Sequence, residues 1–200
     1  MEFREVLARR RMVRNYTGEP VERGALERIA AAALRAPSAG FSQGQAVVVV
    51  TDPAVRQEIA EAAGESSYVQ AGFDPWVSRA PAHLVLCVSE AAYHRRYQMP
   101  DKVDDDGNEI EWPVPYWWVD VGASLMAVLL AAVDEGLAAG FLGTHALDDL
   151  QSLLGIPDEY IPVGVVTVGH PATDRRSSSL DLGRRPIPSE IHWDGWNTHE

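Results

Sequence analysis

The chain has 200 residues, enough for one domain with a sizeable core. Its 29 acidic residues against 17 lysines and arginines leave a net charge of −12, a poor balance for nucleic acid, whose binding rests on neutralising phosphates. A single cysteine, Cys87, excludes an internal disulfide and a thiolate metal cluster.

The start, MEFREVLARRR, lacks the apolar stretch of a secretory signal, so a cytoplasmic protein is expected. Phe3, Val6 and Leu7 have helical spacing and predict a short helix over 2–10. Leu26, Ile29, Ala30 and Ala33 predict a second helix, ended before Pro37. Ala46 to Thr51 is a β-branched run and reads as a fully buried strand. Asp52-Pro53 forms an N-cap and first-turn pair for a helix over 53–63, closed by Gly64. Ala82 to Ser89 reads as another buried strand, with Cys87 a small core residue inside it.

Residues 90–115 carry charges and prolines and read as an exposed excursion, expected to act as a lid. Asp106-Gly107 is a hairpin-turn signal. The acidic run is not a calcium loop: counted from Asp101, Val103 falls at a ligand position and Asp106 where glycine is required. A long helix is expected over Tyr116–Ala139, ended by Gly140. It is nearly apolar all round, and Asp120, Asp134 and Glu135 mark it as a core helix rather than a membrane span. In so small a domain, part of its burial is expected from a second subunit. Ala146 to Leu154 reads as a short helix closed by Gly155 and Pro157, and Ile161 to Gly169 as a third buried strand. The tail from Arg184 has little periodicity but carries Trp193 and Trp196, which should pack on the domain or on a partner.

Four segments hold chemistry-bearing residues. The first is Arg10-Arg11-Met12-Val13-Arg14-Asn15-Tyr16. Arg10 and Arg14 would share a face in a helix, and would also lie on one side of an extended segment. Guanidinium groups bind phosphate through paired charge-assisted hydrogen bonds; the bland alternative is a solvated basic helix end. The second, Ala36-Pro37-Ser38-Ala39-Gly40-Phe41-Ser42-Gln43, is a small-residue loop that lets backbone amides approach a polar ring edge. The third is Gly140-Phe141-Leu142-Gly143-Thr144-His145, and the fourth Gly183-Arg184-Arg185-Pro186. Taken singly, the third reads as a helix cap and turn. No GxSxG, no HExxH and no pair of histidines at metal-ligand spacing appears. His83 and His170 lie beside apolar strands and read as structural.

In this order, the four segments resemble the FMN-dependent nitroreductase family. Its opening motif, Arg-Arg-Ser-x-Arg before an aromatic, stands here as Arg10 to Tyr16. Its Ala-Pro-Ser-x-x-Asn-x-Gln motif stands as Ala36 to Gln43. Leu154 to Tyr160, the strand ending Val168-Gly169-His170-Pro171, and Arg184-Arg185-Pro186 with Ile191-His192-Trp193 are also similar. The resemblance covers nearly the whole chain. It implies a single α+β domain over 1–200 with a mixed central sheet flanked by helices. It also implies an intertwined homodimer, a long buried central helix and FMN at the subunit interface. Residues 184–200 would form a C-terminal arm.

Carried over by position, Arg10, Arg11 and Arg14, with Met12 and Val13 between them, would lie along the FMN phosphate and ribityl chain. Pro37, Ser38 and Ala39 would come from the other subunit against the ring, with Phe41 near it. Leu142, Gly143 and Thr144 would line the ring face. Arg184 would close on the phosphate, with Arg185 a weaker candidate. Three departures stand out: Met12 for serine, Phe41 for asparagine, and Leu182 where lysine is frequent. A deazaflavin is the alternative cofactor. The implied activity is transfer of hydride from NADH or NADPH through the flavin to an electron-poor nitroaromatic or quinone, with no catalytic side chain. The rival is a flavin-binding or sensing protein without turnover. His145 is a candidate to reach substrate; Tyr93, Tyr97, Trp112, Tyr116, Trp117 and Trp118 either pack the excursion onto the domain, the preferred reading, or wall an aromatic site under the lid.

Overall fold

The computed structural model describes residues 1–147, 149–175 and 177–196. Helices α1 (Phe3–Arg9) and α2 (Arg23–Ala33) precede the first strand, β1 (Gln45–Val50). Then come α3 (Pro53–Ala62), α4 (Glu65–Gln70), β2 (Ala82–Val88), α5 (Glu90–Tyr97) and α6 (Tyr116–Asp134). The chain continues as β3 (Ala138–Gly143), α7 (Leu150–Leu153), β4 (Ile161–Gly169) and α8 (Ile187–Glu190).

The strands form one sheet in the order β1-β2-β4-β3, every pair antiparallel. The parallel component of the expected mixed sheet is confined, among the described residues, to one bridge between Met12 and Ala139. Strand alternation divides the core. Leu84, Leu86 and Val88 face α2 and α6, while Val85 and Cys87 face Ile59, Trp76 and Leu150 on the other side. The fold is therefore α+β, with helices on both faces of the sheet.

The capping signal at Asp52 behaves as expected: its Oδ1 accepts from Ala54 N at 2.8 Å and Val55 N at 3.2 Å. β2 is buried throughout. β1 is not: it is an edge strand, half-buried along most of its length, with Val49 exposed. A β-branched run looks the same at the edge of a sheet as at its centre.

The expected helix over Tyr116–Ala139 stops earlier. Gly136 takes φ +75°, Gly136 N donates to Val133 O and Leu137 N to Ala132 O, and the chain turns into β3. Gly140 thus lies inside a strand rather than at a helix end. By length and a mean hydropathy of 1.6, α6 could cross a membrane. Here it buries Trp117, Val121, Val128 and Leu129 in the core, together with Asp120. Its outer row, Val119, Gly122 and Met126, is exposed, so burial all round does not occur within one chain.

Of the helix expected over Ala146–Leu154, only Leu150–Leu153 forms, and Asp148 lies outside the described residues. The excursion begins with an unexpected helix, α5, capped by Ser89 Oγ on Ala92 N at 3.1 Å. Asp106-Gly107 does make a turn, held by Asp104 Oδ1 on Asp106 N and Asn108 N. No strands flank it, so no hairpin follows. Residues 197–200 of the expected arm lie outside the described residues.

Candidate cofactor site

α1 ends at Arg9, and Arg10 is already extended, with φ −58° and ψ 122°. Of the two geometries open to the arginine segment, the extended one holds. Val13 N donates to Ala139 O at 3.0 Å, Thr17 N to His170 O at 3.0 Å, and Ala172 N to Asn15 O at 3.1 Å. Tyr16 is buried, with its hydroxyl 2.7 Å from Thr167 Oγ1. Residues 12–17 are thereby laced between the start of β3 and the chain leaving β4. A Cβ on Gly140 would collide with the Val13 carbonyl oxygen, so only glycine lets the segment lie this close to the strand. Alternation places Arg10, Met12 and Arg14 on one side.

Charge pairing divides the arginines: Arg4, Arg35, Arg56 and Arg175 have no carboxylate partner among the described residues, Arg56 binding backbone carbonyls and Arg175 lying over Phe73. Arg9, Arg23, Arg28, Arg79, Arg95, Arg96 and Arg185 each pair with a carboxylate. Among the described residues, no carboxylate pairs with the guanidinium of Arg10, Arg11, Arg14 or Arg184. Arg14 instead lies 5.7 Å over the Trp76 ring, while its backbone N donates to Asp174 Oδ2 at 2.7 Å. In an acidic chain, a cluster of cations left without anions favours an anionic ligand.

Arg184 and Arg185 are exposed. Arg185 is drawn to Glu190 at 3.4 Å within its own segment. No contact joins either to Arg10 or Arg14, although the chain passes Arg14 at Asp174, ten residues before Arg184.

Leu142 and Gly143 end β3, and Thr144 follows with its hydroxyl on Val163 O at 3.1 Å. His145 folds back so that a Cβ on Gly143 would lie 2.8 Å from its Nδ1. A cavity of about 680 Å³ opens beside Thr144, lined by Leu147, Leu150, Ile156 and Ile161 among others. At about 3.4 Å per residue, β3 carries the chain about 17 Å from the arginine segment at Ala138 to Gly143. That suits a ligand with a phosphate at one end and a ring at the other.

The loop of Pro37, Ser38, Ala39 and Phe41 is elsewhere. It leads into β1 at Gln45, which pairs with Val88, and Val88 pairs with Ile161. The arginine segment sits at the other end of the sheet, against the opposite edge strand. One chain does not bring the two together.

The aromatics of the excursion stack on one another. Trp112 lies 4.5 Å from Tyr97 and 5.6 Å from Trp117. Its Nε1 donates to Glu109 Oε1 at 2.6 Å, and His94 Nδ1 lies 2.6 Å from the same oxygen. The carboxylates of Glu109 and Glu90 hold the His94 pKa above its ordinary value. Sequence reasoning missed Trp76, Asp174 and the partners of Asp120. Only Asp120 left a signal, as a lone carboxylate within an apolar helix.

The nitroreductase family model matches residues 7–170 of this chain. The chain belongs to the nitroreductase family. This nitroreductase-family protein is 29% identical over 193 residues to the FMN reductase [NAD(P)H] of Bacillus subtilis, covering 88% of this chain and 68% of that one. It is 25% identical to the NADH dehydrogenase of Thermus thermophilus, covering 96% of each. Among solved structures, the NADPH:FMN oxidoreductase from Vibrio harveyi complexed with NAD+ superposes with a TM-score of 0.72 at 25% identity. That match covers 97% of this chain and 77% of the other.

Proposed function

We propose that this protein is an NAD(P)H-dependent flavin oxidoreductase of the nitroreductase type. The observation that carries the reading is the run of guanidiniums Arg10, Arg11 and Arg14 on one extended segment beside β3, none paired with a carboxylate among the described residues, with Arg184 likewise unpaired. The family membership and the FMN and NAD(P)H in its relatives' names agree with it.

The residues fit FMN. Arg10 and Arg14 project from one side of the extended segment and would hold the phosphate, with Met12 and Val13 along the ribityl chain. Arg11 lies on the other side and would contribute at longer range. Arg184 would reach the phosphate from the arm, and Arg185 less so because Glu190 occupies it. Leu142, Gly143 and Thr144 would flank the ring. Pro37, Ser38, Ala39 and Phe41 would come from the second subunit of a homodimer, because their own chain holds them at the far end of the sheet. When bound, FMN takes hydride from NADH or NADPH and delivers electrons to a small nitroaromatic or quinone-like acceptor. The protein's part is to bind, orient and exclude water. Residues 90–115 are the substrate-side wall, since Arg96 Nε donates to Gly40 O at 2.8 Å and the excursion thereby touches the ring-facing loop.

An absorption spectrum, before and after anaerobic addition of NADH or NADPH, tests this. The purified protein should be yellow, release FMN equimolar with the chain, and bleach with one of the donors. A colourless protein that takes up no added FMN would overturn it. Flavin that binds but is never reduced would leave a binding protein without turnover.

A further inference from the structure

α6 is an apolar core helix that nevertheless carries a buried carboxylate. Asp120 is 7% exposed, and its Oδ2 accepts two hydrogen bonds: from the Tyr93 hydroxyl at 2.7 Å and from the backbone N of Ala39 at 2.8 Å. No lysine, arginine or histidine pairs with it among the described residues. A carboxylate buried without a counter-cation is costly, and an apolar side chain would fill this face of α6 at lower cost. One turn further on, Ser124 Oγ donates to Ala33 O at 2.8 Å. Asp120 and Ser124, four apart, therefore hold the main chain at two points, at the end of α2 through Ala33 and midway along the α2–β1 connection through Ala39.

The stretch just beyond the hold is strained. Phe41 has φ +60° and Gln43 φ +51°, left-handed values that L side chains rarely adopt, and Gly40 at φ +60° lies between the hold and Phe41. A Cβ at Gly40 would meet the Tyr97 ring at 2.6 Å. Arg96 binds the Gly40 carbonyl from α5 while pairing with Asp101. Strain of this kind persists where the surroundings over-determine it, and it clusters at ligand clamps. Phe41 is left 74% exposed at the tip of this braced loop.

We propose that Asp120 and Tyr93 are positioning residues for the flavin site. They lock the Pro37–Phe41 loop from behind, so that it meets the isoalloxazine edge in one conformation already formed before the cofactor arrives. Neither touches the flavin; both act through the Ala39 backbone. The proposal rests on the reading that this loop faces the flavin of the second subunit's site.

Three variants test it: Asp120→Leu, Asp120→Asn and Tyr93→Phe. FMN affinity is measured on the apoprotein by quenching of flavin fluorescence. The bound flavin is followed by visible circular dichroism, and KM is separated from kcat with NAD(P)H. Asp120→Leu should bind FMN at least about tenfold more weakly, shift the flavin dichroism and lower kcat by on the order of a hundredfold, the scale of an ångström's misplacement. Asp120→Asn retains one amide oxygen to accept both hydrogen bonds, so it should restore the flavin dichroism and affinity to near wild type. If Asp120→Leu does not fold, Tyr93→Phe decides: an altered flavin dichroism with unchanged far-ultraviolet dichroism supports the proposal, and an unaltered one overturns it. Folded Asp120→Leu with wild-type FMN affinity and dichroism overturns it, as does Asp120→Asn impaired as deeply as Asp120→Leu. Wild-type protein that takes up no FMN removes the flavin reading and this proposal together. Wild-type binding with identical variants removes this proposal alone.

Discussion

Arg14 shows how a common residue type becomes a candidate site. Its backbone N donates to the Asp174 carboxylate and its guanidinium leans over Trp76, paired with no carboxylate among the described residues. Arg9, five residues earlier, reaches Glu5 at 3.0 Å and has no such vacancy for an anion. The difference follows from local geometry: Arg9 is four residues from a glutamate on a helix, whereas Arg14 is on an extended segment beside β3. Arg14→Ala should therefore weaken FMN by about 1.5–3 kcal/mol, roughly tenfold to a hundredfold. Arg184→Ala should cost less, because among the described residues no hydrogen bond or ion pair holds Arg184 against the cluster. Titration of each apoprotein with FMN checks both, and unchanged affinity in the two variants would show the phosphate site to be wrongly placed. From sequence, the three arginines were legible as candidates. Their lack of partners was not, because pairing is a property of neighbours in space.

β2 carries its own consequence. It is buried throughout, and His83 lies within it with no exposed surface. The ring donates from Nε2 to Val77 O at 2.8 Å, while Nδ1 has no partner. Burial pushes the His83 pKa down to about 4 from an ordinary 6.5. Above pH 6.5 the ring is neutral in folded and unfolded chains alike, and its contribution to stability is complete. As pH falls from 6.5 towards 4, the unfolded chain takes up the proton first, so stability is lost across that window. The loss amounts to about 3 kcal/mol, at about 1.4 kcal/mol per unit. Denaturant melts at about pH 7 and about pH 4.5 should show the wild type losing about 2–3 kcal/mol more than His83→Gln. Equal losses would mean that other groups govern the acid limb. The strand was readable from its apolar run, and so was the structural role of His83. The helices α4 and α5 were not, because they are short and polar and lack a clear apolar stripe.

At the scale of the molecule, two features point outward from one chain. The outer row of α6 exposes Val119 and Met126, and the arm exposes Ile187, Trp193 and Trp196. The arginine segment and the Pro37–Phe41 loop also stand at opposite ends of the sheet. A second copy lying across α6 would cover the first and unite the second. Met126→Asp would bury an unpaired carboxylate in that proposed interface, at a cost of several kcal/mol. On the proposed homodimer, sedimentation velocity should find the wild type dimeric and this variant monomeric at micromolar concentration, with loss of bound FMN. A variant that stays dimeric and yellow would move the interface elsewhere on the surface.

The sequence alone determined what depends on near neighbours: the buried strands β2 and β4, the capped helix α3, and the order of the segments that mark the family. Each rests on periodicity, on a cap or on a short motif, and none needs a distant contact. Tertiary structure decided that α6 stops at Gly136 rather than Gly140: both glycines could end a helix, and the pairing of Ala138–Gly143 with β4 made the choice. It made β1 an edge, laid the arginine segment out along β3, and gave Asp120 its two donors from Tyr93 and Ala39. Those outcomes depend on pairings between residues far apart in the chain, and no local pattern records them.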